Sequence, residues 1–140
     1  MSYINSGNLA FDARKGSEAK LVTKIEKAIE KDFGKRIPVM VRAQTDIDRI
    51  LAANPFDGQF ASHKEMHVLF LREEMPAEKQ QHLLDAAPEK ERFAIAGREI
   101  FCHLPNGAAD SLLGKNFIEN KLKTSVTARN WRTVQKLVEL

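Results

Sequence analysis

A chain of 140 residues, 43% of them hydrophobic, is long enough to bury a core and too apolar for a disordered protein. Its 22 basic and 19 acidic residues give a net charge of +3, which permits contact with phosphates without requiring it. No run of about 18 apolar residues occurs, so no membrane-spanning helix is predicted. The first residues also lack the pattern of a signal peptide.

The chain contains one cysteine, Cys102, which cannot form an internal disulfide. A single free thiol fits a reducing compartment. We therefore expect a soluble protein of the cytoplasm.

In the first part of the chain, residues 3–13 predict a strand that is interrupted at Ser6-Gly7-Asn8, a turn or bulge signal. Residues 17–34 predict an amphipathic helix with Ser17 as its cap and Gly34 as its stop, and with Phe33 on the inward stripe.

Residues 37–43 form a β-branched run typical of a strand. Residues 45–53 predict a short helix that Thr45 caps and that Asn54-Pro55 ends.

The second part of the chain begins with a short buried strand at residues 66–71. Residues 76–87 then predict a helix that opens on Pro76. Residues 91–104 predict a hairpin around Gly97-Arg98.

Two helices complete the predicted elements. Residues 110–123 have helical tendency, although Gly114 weakens it, and Asp110-Ser111 supplies a cap. Thr127 is expected to cap a last helix that runs to the C-terminus. Strands alternating with helices, together with one hairpin, indicate an α/β or α+β fold with a mixed sheet.

The opening strand has no partner before it in the chain. If it is central in its sheet, it leaves an uncovered edge that another chain can pair. Either a second copy of the chain covers this edge and forms a homodimer, or the sheet rearranges.

Several stretches resemble a bacterial family, the domain of unknown function 1697. The matching stretches follow one another in the family's order and are YINSGNLAF (3–11), IPVMVR (37–42), ANPF (53–56), HVLFL (67–71), GREIFCHLPNG (97–107) and TARNWRTVQKL (127–137).

The resemblance implies an α+β fold built from two small ferredoxin-like α/β subdomains. The family's usual first strand–helix unit is absent here, so the first subdomain is expected to be incomplete. The expected division is a truncated first subdomain at residues 1–56, a second at 57–123, and a C-terminal helix at 124–140. The resemblance implies no activity, cofactor or catalytic residue.

The strongest candidate site lies at the start of the last helix. If Thr127 is the cap, Arg129 lies in the first turn and opposes the helix dipole unless an anion is close by. That anion can be an internal carboxylate or a bound phosphate or carboxylate. We therefore predict an anion-binding corner at Arg129, Asn130 and Arg132, with Lys136 on the same face. Trp131 is expected to pack as a core anchor.

The residues around this corner are predominantly basic. The segment from Gly114 to Leu140 contains six basic and two acidic residues. Such an excess of positive charge is the electrostatic signature of a surface for nucleic acid or an acidic partner. A solvated helix face is the plainer alternative. Ser6, Gly7 and Asn8 form a second candidate, as a bulge whose amides point at a ligand, with an ordinary turn as its alternative.

Other reactive side chains do not form a convincing site. His63 and His67 lie in HKEMH, but His67 opens a predicted strand, so the helical zinc pattern is not met and no metal is predicted. Cys102 and His103 are neighbours on a strand and point to opposite faces. Cys102 is expected to be an inert core thiol.

The sequence thus favours a binding or scaffold protein whose basic C-terminal region meets an anionic partner such as nucleic acid. The alternative is an enzyme that acts on a small anionic substrate between the subdomains, with Arg129, Asn130 and Arg132 as orienting groups. A structural oligomer interface at the uncovered sheet edge is the third possibility.

Overall fold

A computed structural model describes residues 2–3, 8–10, 18–35, 37 and 39–139. Its elements, in chain order, are β1 (Ser2–Tyr3), β2 (Asn8–Leu9), α1 (Glu18–Phe33), α2 (Gln44–Ala52), a 3-10 turn (His63–Glu65), β3 (Met66–Leu71), α3 (Ala77–Ala86), β4 (Arg92–Ala96), β5 (Glu99–His103), α4 (Phe117–Asn120), β6 (Val126–Asn130) and α5 (Trp131–Glu139).

The centre of the fold is a four-stranded sheet with the strand order β4-β5-β3-β6. The succession β3-α3-β4-β5-α4-β6 in this order is the ferredoxin-like arrangement, so the α+β class is confirmed. The expectation of a mixed sheet is corrected, because all three ladders of this sheet are antiparallel. β3 and β4 run parallel but are not neighbours, since β5 lies between them.

Helices cover both faces of this sheet, and β3 is buried on both sides. Its residues Leu69 and Leu71 pack with Leu83 of α3 and other residues of one core. The alternate residues of β3 pack with α2 and α5 in a second core, whose members include Val68, Phe70, Ile50 and Val134. The period-2 alternation of a strand therefore divides the apolar residues of β3 between two cores.

Elements with strong local signals lie where the sequence predicts them. β3 occupies residues 66–71, α3 follows Pro76, and α1 ends at Gly34, whose φ is +68°. The hairpin turns at Gly97-Arg98, where Gly97 has a φ of +59°. A positive φ favours glycine, which explains why these turns can be predicted from sequence.

Three predictions for the first half of the chain are wrong. Residues 39–43 belong to no strand, and Ile37 is likewise outside any strand. Phe33 was expected on the buried stripe of α1, yet it is 72% exposed. The second helix begins at Gln44, so Thr45 lies inside the helix and does not cap it.

The helix predicted over residues 110–123 is limited to α4. Gly114 explains part of the difference, because a Cβ there would lie 2.1 Å from the Ala109 carbonyl oxygen. The chain therefore folds back tightly on itself at this glycine, which a continuous helix does not do. Ser111 is buried in this turn, where its hydroxyl accepts a hydrogen bond from the Leu113 N–H.

Arg42 fastens the segment at residues 39–43 to the end of the sheet. Its Nε donates to a Glu99 carboxylate oxygen at 3.0 Å, and both side chains are less than 10% exposed. One terminal nitrogen donates to the carbonyl oxygens of Leu71 at 2.5 Å and Arg98 at 3.1 Å. The guanidinium carbon lies 5.6 Å from the centre of the Phe70 ring. Burial, followed by the charge of Arg98, lowers the pKa of Arg42.

Replacement of Arg42 by alanine is expected to destabilise the protein by about 3–5 kcal/mol, because Glu99 would remain buried without its partner. The matched control is Arg49→Ala, since Arg49 pairs with Asp46 at 3.1 Å on the surface. Its loss should cost less than about 1 kcal/mol. Urea unfolding followed by circular dichroism measures both, and equal losses for the two variants would contradict the role assigned to Arg42.

Candidate anion-binding site

The last strand and the last helix meet without a connecting loop. β6 ends at Asn130, α5 begins at the next residue, and Thr127 pairs with Phe70 inside the sheet. The prediction that Thr127 caps the helix is therefore wrong. Asn130 takes this role, because its side-chain oxygen accepts a hydrogen bond from the Thr133 N–H at 2.9 Å.

Arg129 consequently lies in a strand and not in the first turn of a helix. The expected conflict between its charge and the helix dipole does not arise. Its Nε donates to the Asn8 side-chain oxygen at 2.7 Å, and a terminal nitrogen donates to the Ala128 carbonyl oxygen at 2.8 Å. Burial lowers the pKa of Arg129.

The contact between Arg129 and Asn8 brings the two candidate sites together. Asn8 is buried and pairs with Tyr3 in the short β1–β2 ladder. Ser6 and Gly7, the other members of the second candidate, lie outside the described residues. The two segments, predicted as separate sites, are therefore joined by a hydrogen bond although they lie near opposite ends of the sequence.

The remaining basic residues of the corner differ in their environments. Arg132 is exposed and forms no ion pair within the described part of the chain. Lys136 donates to the Glu139 carboxylate at 3.1 Å. Arg132 and Lys136 share a face of α5 as predicted from their spacing, whereas Arg129 is outside that helix.

Trp131 anchors the start of α5 in the core. It is only 6% exposed, and its ring meets the Phe60 ring edge to face at 6.2 Å between centroids. Val134, one turn later, is fully buried in the same core. The prediction that this tryptophan is an anchor is therefore confirmed.

An open cleft of about 290 Å³ lies between residues 88–91 and the loop at 104–110. Glu91 is one of its lining residues and accepts a hydrogen bond from the Leu112 N–H at 3.0 Å. No residue of the candidate anion site lines this cleft. The alternative enzyme would need a hollow beside Arg129, Asn130 and Arg132, and this cleft does not provide it.

Of the histidines, His103 is buried in the packed body of the protein, as is the single cysteine, whereas His82 is exposed. Cys102 is fully buried, and burial raises the pKa of its thiol well above the ordinary value. His67 lies in β3, where burial and then the charge of His63 lower its pKa. The described residues contain no group of three or more potential metal ligands.

Comparisons with known proteins agree with this architecture. Residues 1–101 match the model of a family described as "Protein of unknown function (DUF1697)". The chain belongs to this family.

A solved structure adds to the description of the DUF1697 fold. This structure, of the conserved bacterial protein SP0830 from Streptococcus pneumoniae, matches with a TM-score of 0.71 and 21% sequence identity. The match covers 99% of this chain and 78% of the other. At this identity the likeness concerns the fold alone. None of the curated proteins matches the chain. No helix among the described residues is long and apolar enough to cross a membrane.

This DUF1697 chain also contains a polar cluster that was not predicted from the sequence, formed by Arg92, His103 and Glu65. A terminal nitrogen of Arg92 lies 2.9 Å from His103 Nδ1, and His103 Nε2 lies 3.7 Å from a Glu65 oxygen. Because arginine only donates, Nδ1 accepts, and the proton of the neutral imidazole is on Nε2. Counting outward from the Gly97-Arg98 turn places Arg92 opposite His103, so the hairpin sequence already contained this signal.

Arg129→Ala is expected to destabilise the protein by about 1–3 kcal/mol, because the substitution removes a charged hydrogen bond to the buried Asn8 side chain. Arg132→Ala, the matched control on the exposed helix face, should change stability by no more than about 0.5 kcal/mol. Chemical denaturation measures both values. If both variants unfold at the wild-type denaturant midpoint, the contact between Arg129 and Asn8 does not contribute to stability.

The lowered pKa of His67 predicts a pH-dependent stability. The unfolded chain binds a proton near the ordinary value of 6.5, whereas the folded chain binds it only at lower pH. Stability contributed by neutral His67 is therefore complete above pH 6.5 and is lost as the pH falls below it. His67→Asn should reduce this loss between pH 7 and pH 5 in urea unfolding, and His82→Asn at an exposed position should keep it. If the free energy of unfolding of His67→Asn falls between pH 7 and pH 5 as much as that of the wild type, His67 is not the cause of the loss.

Proposed function

We propose that this protein binds a polyanionic partner, with nucleic acid as the preferred class, through its basic C-terminal region. The observation that carries the proposal is the state of four cations in this region. They are exposed and form no ion pair within the described residues, and they are Lys115, Lys121, Lys123 and Arg132.

Unpaired surface cations favour phosphate binding for a physical reason. A nucleic acid releases condensed counterions when lysine or arginine neutralises its phosphates, so such contacts gain free energy at low salt. Cations already paired with carboxylates gain less, because the existing pair must be broken. Lys136, which pairs with Glu139, is therefore a weaker member of the proposed surface than Arg132.

Fewer residues of the predicted anion-binding corner are available for a phosphate than the sequence suggested. Asn130 uses its side-chain oxygen as a helix cap, and Arg129 binds Asn8. Arg132 is then the member best placed to meet a phosphate. Because the described cleft lies elsewhere, no specific observation favours the alternative enzyme, which stays a prediction.

The proposal includes the cytoplasm as the compartment, where nucleic acid is accessible and the single thiol of Cys102 stays reduced. It leaves a homodimer through an uncovered sheet edge as a prediction, and light scattering after size-exclusion chromatography tests that state directly.

Fluorescence anisotropy with a labelled duplex, recorded from 50 to 200 mM salt, tests the proposed function. Wild-type protein should bind with an affinity that falls steeply with salt, and Lys121→Gln/Arg132→Gln should lower the salt slope by about 0.9 for each lost phosphate contact. The matched control is Lys64→Gln/Lys90→Gln, which removes the same charge at exposed positions elsewhere and should leave the slope unchanged. Absence of salt-dependent binding by the wild-type protein would refute the proposal.

A further inference from the structure

The first long helix, α1, carries a row of lysines on one face. Lys20, Lys24, Lys27 and Lys31 lie four, three and four residues apart on α1. At 3.6 residues per turn they fall within an arc of about 60°, and they extend over about 16 Å of the helix axis. All four are exposed and without an ion pair in the described part of the chain. We call them the lysine row.

Two of the four acidic residues of α1 determine how this row is presented. Glu18 accepts a hydrogen bond from Arg98 at 2.8 Å, and Glu26 pairs with Arg72 and accepts from the Val39 N–H at 2.9 Å. These contacts lie near the β3 end and the hairpin turn, on the side of the helix away from the lysine row. They fix the rotation of α1 about its axis and direct the row to solvent.

Charge on α1 is therefore partly segregated. On an ordinary surface helix, lysines and glutamates three or four residues apart pair with each other. Here Glu18 and Glu26 are occupied by arginines next to the sheet strands, while Glu30 and Asp32 are exposed in the last turns of the helix, outside the arc of the row. The arc itself contains four like charges, which repel one another until a polyanion compensates them.

The dimensions of the row fit one kind of polyanion. A B-form strand has one phosphate per 3.4 Å of axis, so about 16 Å contains about five, enough for each lysine to meet one. An open depression of about 450 Å³ lies beside the row, bordered by its first three lysines and by the small residues Ala19 and Thr23. Small side chains there let a sugar–phosphate backbone approach the helix.

A membrane surface is a poorer partner for this helix. An interfacial helix inserts an exposed apolar face between its flanking lysines. On α1, Val22 is buried, and Leu21 and Ile25 are partly buried on the side away from the lysine row. Phe33 is exposed but lies at the end of the helix and far from the arc of the row.

We propose that the lysine row of α1 is a phosphate-backbone contact surface for nucleic acid. This inference deepens the proposed function and rests on it, since it adds a second contact surface, on a different element, to the C-terminal region. The recognition is electrostatic and independent of base sequence, because lysine contacts to phosphates carry no sequence information.

The test compares three versions of the full chain by anisotropy with the same labelled duplex. Replacement of the four lysines by glutamine keeps helix propensity and should lower the salt slope by about 3 to 4, with at least a tenfold loss of affinity at 50 mM salt. Replacement of the same lysines by arginine keeps the charge and should keep the binding. Circular dichroism and urea unfolding establish that each variant is folded as the wild type.

The outcomes separate this inference from the proposed function. If the glutamine variant binds as the wild type while Lys121→Gln/Arg132→Gln is weakened, the lysine row is not a contact and the C-terminal proposal stands. If wild-type protein does not bind the duplex, both are refuted. Row-dependent binding to phosphatidylserine vesicles without binding to the duplex would also overturn the inference and would assign the row to a membrane surface.

Discussion

The buried contact between Arg42 and Glu99 is the constraint on which the first half of the described fold depends. The segment that carries Arg42 forms no strand, so it does not obtain its position from a backbone ladder. Its main polar contact comes from one guanidinium group, which satisfies a carboxylate and the carbonyl oxygens at the end of β3 and in the hairpin turn. The hydrogen bond from the Val39 N–H to Glu26 and the packing of Met40 against the second core add to it. α2 follows directly and covers one face of the sheet. A lysine has no planar fork of donors and could not make this set of contacts.

Sequence patterns located the elements whose causes are local. The buried run of β3 and the Gly97-Arg98 turn are specified by residues next to one another, and both were predicted with their bounds. The start of α5 was predicted too early, at Thr127, because the residues that determine it are distant in sequence. Val126 to Asn130 form a strand because β3 lies beside them, and the sequence of that segment contains no record of this neighbour.

In the candidate site, too, features determined by local sequence could be predicted and features determined by distant residues could not. The burial of Trp131 follows from its spacing and was predicted, whereas the environment of Arg129 depends on Asn8 and could not be. The lysine row has a local pattern at helical spacing. Its outward orientation, however, is set by Arg72 and Arg98, which are distant in sequence. Family membership specifies the fold without specifying an activity, so the argument for function depends on charge and exposure in this chain.

The order of the strands along the chain has a consequence for synthesis. β3 has two neighbours in the sheet, and the ribosome makes β5 before it makes β6. During translation β5 can therefore pair with β3 first, while the other edge of β3 still has no partner. An apolar strand with a bare edge is prone to association with other chains, so β3 is protected at that edge only once β6 has joined the sheet.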